Sequence, residues 1–277
     1  MSGSDKSRGR RQDAEGIGRR QDAETEEYRN ARKIISYLDS KVNCKNIEVF
    51  LENHYETKPY HLRLNVGNEL HDASYELVQY PDTDETEIIL QNIFNTFKFI
   101  TQANYSGLDY FPWLYGLLKC DGLTEDTQTP ARQVHTFYEY FETNLQEYIP
   151  KISHPSEWYG ICFQLALISD FMRRNNKAYD SSMANHLVKF HEKPVFTQYS
   201  KGDVKISVRQ TMRIVLKDFY LEEGSKDSSI QGLLKYLSSH PDINIPPSPK
   251  NMSFMHKYVT DPTQLTPLLA SYYQSRS

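Results

Sequence analysis

The chain has 277 residues, and its 32 Lys and Arg against 36 Asp and Glu leave a formal charge of -4. Hydrophobic residues make up 38% and aromatic residues 13%, enough for a packed core and contrary to a wholly disordered chain. The mild acidity argues against wholesale electrostatic binding of nucleic acid, and no apolar run approaches the ~20 residues that span a bilayer, so no membrane partner is expected.

Residues 9–15 and 18–24 both read GRRQDAE. Segment 1–24 holds almost no large apolar side chain to offset its ordering entropy, so a disordered tail is expected there, without a secretory signal. A helical body is expected over residues 25–240. Tyr28, Ile35, Leu38 and Val42 mark a first helix. Ile47, Phe50, Leu51 and Tyr55 mark a second at helical spacing. Tyr60, Leu62, Leu64 and Val66 alternate as a strand does; SYELVQY after them is either its partner in a small β-hairpin near 60–80, the reading preferred, or helical through Leu70, Leu77 and Val78. From Asp84, read as a capping residue with Glu87, the residues Ile89, Ile93, Phe97 and Ile100 predict a helix that stops at Gly107.

Three more helices are expected at 108–122 (LDYFPWLYGLLKCDG), 131–149 (stripe Val134, Phe137, Phe141, Leu145, Tyr148) and 158–172. The last is apolar on every side, which places it at the centre of the fold. A short helix at 181–194, a helix from Asp203 to Gly224 and a helix over SSIQGLLKYLSSHP complete the body. Four prolines in 241–250 predict an extended linker, and 251–277 supplies a C-terminal segment with a short docking helix. The expected fold is therefore mainly all-α, a multi-helix bundle or irregular helical array.

Within KISVRQTMRIVLK, every fourth residue is a cation: Lys205, Arg209, Arg213 and Lys217. On a helix these are like-charged neighbours, each pair costing about 0.2–0.5 kcal/mol, so negative groups elsewhere must offset them. Acids of the same chain are one compensator. An external polyanion, either an acidic partner or a nucleic-acid backbone, is the other.

No P-loop, dinucleotide-binding glycine pattern, HExxH, GxSxG or kinase signature set is found. The nine histidines lack ligand spacing, so no metal and no cofactor is expected. Cys44, Cys120 and Cys162 are distant and odd in number, which predicts reduced thiols and a place in the cytosol or nucleus. Cys162 reads as inert core, and Cys120 as lying near a helix end. In YFPWLYG, Trp113 and Tyr115 are core by default and a partner-binding hot spot if exposed. Ser248, before Pro249, resembles a proline-directed phosphorylation site.

These features lead to a non-enzymatic helical adaptor that binds other proteins. The alternative is an RNA-binding helical protein that uses the basic row. A third reading is an enzyme whose site is assembled from distant residues.

Overall fold

The computed structural model describes residues 26–56, 60–123, 129–152, 155–201, 204–224, 228–240 and 242–243. The tail at 1–24, Ser248, the segment 251–277 and all but two residues of the 241–250 linker lie outside the described residues.

The N-terminal part begins with two amphipathic helices, α1 (Glu26–Lys41) and α2 (Ile47–His54). A hairpin follows, β1 (His61–Val66) and β2 (Glu69–Pro81), turning on Gly67 and Asn68 at φ of 62° and 73°. Positive φ at both turn residues matches the right-handed twist of the flanking strands, and Gly and Asn tolerate it best. Next come the long helix α3 (Asp84–Tyr105) and the strands β3 (Leu114–Leu123) and β4 (Pro130–Glu139). The N-cap of α3 is Thr83, whose hydroxyl accepts from Thr86 N, one residue before the expected Asp84.

The four strands form one antiparallel sheet in the order β1-β2-β4-β3. Side chains alternate across it, so its two faces bury different helices. Ile34 and Leu38 of α1 and Phe50 of α2 pack with Leu62, Leu64, Tyr75 and Phe137. Leu90 and Ile93 of α3 pack with Val134 on a separate cluster.

Residues 139–144 lead into the C-terminal part. There, a short strand β5 (Thr143–Asn144) and one turn of helix, α4 (Leu145–Tyr148), precede α5 (Pro155–Arg174). Helix α5 lies at the centre of the larger core, with Ile161, Phe163, Leu165 and Ile168 at 1% exposure or less. Each of these side chains contributes about 1.5–3 kcal/mol on burial. The chain continues through β6 (Lys177–Ala178) and a 3-10 turn at Met183–Asn185 into the hairpin β7 (His186–Lys201) and β8 (Val204–Leu216). A short strand β9 (Glu222–Glu223) and helix α6 (Ser229–Ser239) close the described chain.

The architecture is mixed α and β, which overturns the expected all-α body. Segment 108–122 is largely strand β3, and 131–149 divides into strand β4 and the turn of α4. Segment 181–194 is a 3-10 turn and strand β7, and the basic segment is strand β8. From Val134 to Glu139 both sides of β4 are buried, polar His135 and Thr136 included, so no apolar–polar alternation marks it as a strand and the spacing of Val134 and Phe137 also fits a helical stripe.

The cysteine expectation fails as well. Cys44, between α1 and α2, is disulfide-bonded to Cys120 on β3, with a Cα–Cα distance of 5.5 Å. The argument for cytosol or nucleus from three reduced thiols loses its premise. Cys162 is a free thiol buried in α5, and burial pushes its pKa up to about 12.

Candidate active site

The site lies where the two parts meet, and its backbone is fixed first. Strands β6 and β9 pair antiparallel, Lys177 with Glu223 and Ala178 with Glu222, which draws the 179–185 loop against segment 217–221. Lys217 N donates to Asn185 O at 2.7 Å, a second tie between them. From below, α6 supports the loop. Ser228 and Gln231 form a capping box, and the next residue, Ser229, is fully buried. Ser229 N donates to Tyr179 OH at 2.7 Å and to Ser169 Oγ on α5 at 3.0 Å.

His186 is held by the same hub. Its Nδ1 lies 2.8 Å from Ser182 O, and its Nε2 lies 2.8 Å from Ser229 Oγ. A carbonyl only accepts, so Nδ1 carries the proton. Burial pushes the ring's pKa down to about 4, which leaves it neutral near pH 7, so Nε2 accepts from the serine hydroxyl. Gly232 permits the close approach of α6. A Cβ there would stand 2.0 Å from Ser181 O.

On this support sit two carboxylates and an amide. Asp180 N donates to Asp218 Oδ2 at 2.7 Å. Asp180 Oδ1 accepts from Ser182 N and Oδ2 from Asn185 Nδ2, both at 2.9 Å. Asp218 Oδ1 accepts from Tyr220 N at 2.9 Å. Asp180, Asn185 and Asp218 thus form one preorganised polar cluster.

Above the cluster, Lys217 makes an ion pair with Glu76 of β2, Nζ to Oε2 at 2.7 Å. Its ammonium lies 5.5 Å from the Tyr138 ring centroid and 5.9 Å from that of Phe219. Those two rings meet edge-on at 5.3 Å. Burial opposes the charge on Lys217, but Tyr138 and Glu76 outweigh it and raise the pKa.

Arg213 lies elsewhere and is buried. Its Nη1 donates to both oxygens of Glu139 at 2.9 and 3.0 Å, and its Nη2 to Phe111 O at 3.0 Å. Lys189 adds a third bond to Glu139 at 2.9 Å. Burial works against the Glu139 charge, yet Arg213 and Lys189 outweigh that cost and hold its pKa below the usual carboxylate range. This assembly ties the end of β4 to the β7–β8 hairpin.

The basic row is therefore not one helical ridge. Lys205 and Arg209 are register positions on β8, opposite Ser200 and Phe196. Arg213 is spent on Glu139, and Lys217, just past the strand, on Glu76. Trp113 and Tyr115 are 8% and 7% exposed, so they do not present a surface hot spot. Trp113 packs edge-on against Tyr28 and Tyr105.

Asp180, Asn185 and Asp218 were not singled out from the sequence. The available signal was their order: Asp180, four residues, Asn185, two strands, then Asp218 followed by Phe219. Without strands, that order has no meaning.

Fold and site together define a two-part α and β protein with a carboxylate–amide cluster at the junction. No protein-family model matches the chain. The chain is similar to an uncharacterized protein of Acanthamoeba polyphaga mimivirus, 28% identical over 278 residues, covering 88% of this chain and 98% of that protein. Among the described residues, no helix is long and apolar enough to cross a membrane.

Proposed function

We propose that the chain is a phosphoryl-transfer protein with the architecture of the protein kinases. The observation that carries this reading is the joining of Asp180, Asn185 and Asp218 by hydrogen bonds at the junction of the two parts. Protein kinases place a base Asp and a metal-binding Asn in a loop of pattern H-R-D-x-x-x-x-N, and a second metal-binding Asp in D-F-G. Here Ala178-Tyr179-Asp180 and Asn185 keep the Asp-to-Asn spacing, and Asp218-Phe219-Tyr220 follows the intervening β7–β8 hairpin. The preceding elements run in the corresponding order: a strand pair, a long helix, a second strand pair, a crossover and a central helix.

The residues fit the metal half of a metal–nucleotide. Asp218 and Asn185 offer the carboxylate and amide oxygens that suit Mg²⁺. When bound, the metal–nucleotide would supply an activated phosphoryl group. Asp180 would orient and deprotonate the acceptor hydroxyl, since backbone and amide donors already fix both of its oxygens.

The departures are specific. Strand β2, which precedes the long helix, has no Lys or Arg, and the β1–β2 turn has two residues in place of a glycine-rich loop. Glu87 of α3 binds Lys119 on β3 instead of facing the junction.

The test is transfer of labelled γ-phosphate from ATP by the full chain, to itself and to generic acidic and basic acceptor proteins, with Mg²⁺ or Mn²⁺. Transfer that disappears in Asp180→Asn, with nucleotide binding retained, is expected. Failure to bind nucleotide at millimolar concentration overturns the proposal. That result would favour a second reading, a non-enzymatic adaptor on the same architecture. The pairing of Glu76 with Lys217 and the Tyr138–Phe219 contact beside Asp218 favour this reading, because they place a like charge and packed rings next to the residues that a nucleotide would need. The RNA-binding reading has lost Arg213 from its exposed ridge.

A further inference from the structure

We infer that Lys217 is the phosphate-anchoring cation of this junction, having exchanged places with its carboxylate partner, so that the site takes the polyphosphate tail of a nucleoside di- or triphosphate. The inference rests on the phosphoryl-transfer reading and adds the residue which that reading lacks. Kinases hold the nucleotide phosphates with a lysine on the strand before the long helix, paired with a glutamate. Here the strand side chain that reaches the junction is an acid, Glu76, and the lysine comes from below, one residue before Asp218. The ion pair is kept and its two ends are swapped.

Three observations support Lys217. Its backbone is locked to the catalytic-type loop through Asn185 O, so its position is tied to that of the metal-binding candidates. The side chains of Lys217 and Glu76 are 24% and 31% exposed against 7% for Arg213, and Glu76 Oε2, itself buried, makes no well-aligned hydrogen bond, so this pair opens to a ligand more easily than that of Arg213. Neighbouring cations have other commitments: Lys189 and Arg213 to Glu139, Lys119 to Glu87, and Lys177 over the Phe99 ring. A phosphate arriving at Lys217 meets Glu76 as a like charge and as a competitor for the ammonium. Nucleotide binding therefore requires the pair to open, and removing the Glu76 charge should help it.

The experiment measures binding of ATP, ADP and AMP with Mg²⁺ to the full chain by calorimetry, with folding of each variant checked by circular dichroism. Lys217→Met is expected to weaken ATP and ADP at least tenfold and to leave AMP, which lacks the outer phosphates, within twofold. Lys217→Arg should restore most of the ATP affinity. Glu76→Gln should tighten ATP several-fold, which keeps the test decisive if Lys217→Met does not fold. Lys33→Met, which breaks an exposed pair with Glu69 far from the junction, is the control. If the wild-type chain binds ATP and neither Lys217→Met nor Glu76→Gln changes the affinity, the anchor assignment is wrong and the phosphoryl-transfer reading survives. If the wild-type chain binds no nucleotide, both fall.

Discussion

The close approach of α6 to the Asp180 loop makes Gly232→Ala a test in which two effects have opposite signs. Alanine in a helix interior is favoured over glycine by about 1 kcal/mol, so propensity alone predicts a more stable protein. The structure predicts the reverse. The new methyl carbon would lie 2.0 Å from Ser181 O, 2.9 Å from Ser181 C and 3.0 Å from Ser181 Cβ, where ordinary contact begins at 3.4 Å. Backbone must therefore move by about 1.4 Å, the gap between that contact distance and 2.0 Å. Neither side yields easily. Ile230, Leu233 and Leu237 anchor α6 in the core, and Asp180 and His186 fix the loop. Overpacking of this kind costs about 1–3 kcal/mol, and each buried hydrogen bond lost around Ser229 adds about 1 kcal/mol. The net expectation is a loss of about 1–3 kcal/mol, read as a fall in urea midpoint at unchanged slope. Because Ser181 follows Asp180, nucleotide-dependent activity should fall further than stability does. A variant as stable as the parent, or more stable, would show that the loop is not pressed against α6 and would refute the packing argument.

Three further perturbations have defined outcomes. Arg213→Met leaves the buried Glu139 with only Lys189 among its cations and should cost about 3–5 kcal/mol in chemical denaturation, whereas double replacement with Glu139→Leu should recover part of that loss. A single variant within 1 kcal/mol of the parent would contradict the burial of the pair. His186 is neutral in the fold with its pKa pushed down to about 4, below the ordinary 6.5, so its contribution is complete above pH 6.5 and is lost as pH falls from 6.5 to about 4. The loss approaches about 3 kcal/mol, and NMR titration of the imidazole should show no protonation above pH 5 in the native state. The Cys44–Cys120 bond spans 76 residues of sequence, and Cys44→Ser with Cys120→Ser should cost about 2–4 kcal/mol. Equal stability of the parent with and without reductant would show that the bond contributes nothing to the fold.

What could be read from the sequence depended on whether a segment carried one period or two. The segments of α1, α2 and α3 each carry a helical stripe, that of α5 is apolar on every side, and helices form in these and in the SSIQGLLKYLSSHP segment of α6. The hairpin of β1 and β2 could be read because β1 alternates cleanly and Gly67-Asn68 supplies the turn. Strand β4 could not, because with both sides buried from Val134 onward it lacks a clean alternation, and Val134 and Phe137 also fit helical spacing. The Asp180 loop was hidden for a related reason. With 181–194 read as a helix, Asn185 and His186 point around a cylinder, and nothing brings Asp218 toward Asp180. The disulfide was hidden because Cys44 and Cys120 meet only once β3 is a strand at the sheet edge.

The basic row shows the ambiguity in its simplest form. Four is close to a helical repeat, and it is also twice the strand repeat, so positions 205, 209, 213 and 217 fit one face under either period. The deciding pattern was among their neighbours. Val204, Ile206, Val208, Met212, Ile214 and Leu216 occupy alternate positions broken only by Gln210, with Lys205, Ser207, Arg209, Thr211 and Arg213 between them and Val215 the one apolar exception. That alternation, rich in β-branched residues, is a strand signal and has no counterpart in a helix. Once the segment is a strand, the charges no longer crowd one another along a rod, and each can be met separately. Glu139 meets Arg213 deep in the fold, where the pair fixes how the two parts join. Glu76 meets Lys217 beside Asp218, with both side chains partly exposed, and this is the pair that the phosphate-anchor proposal requires to open. The same residues that suggested one contact surface thus divide into a structural pair and a pair placed to act, and the difference between them is their access to solvent.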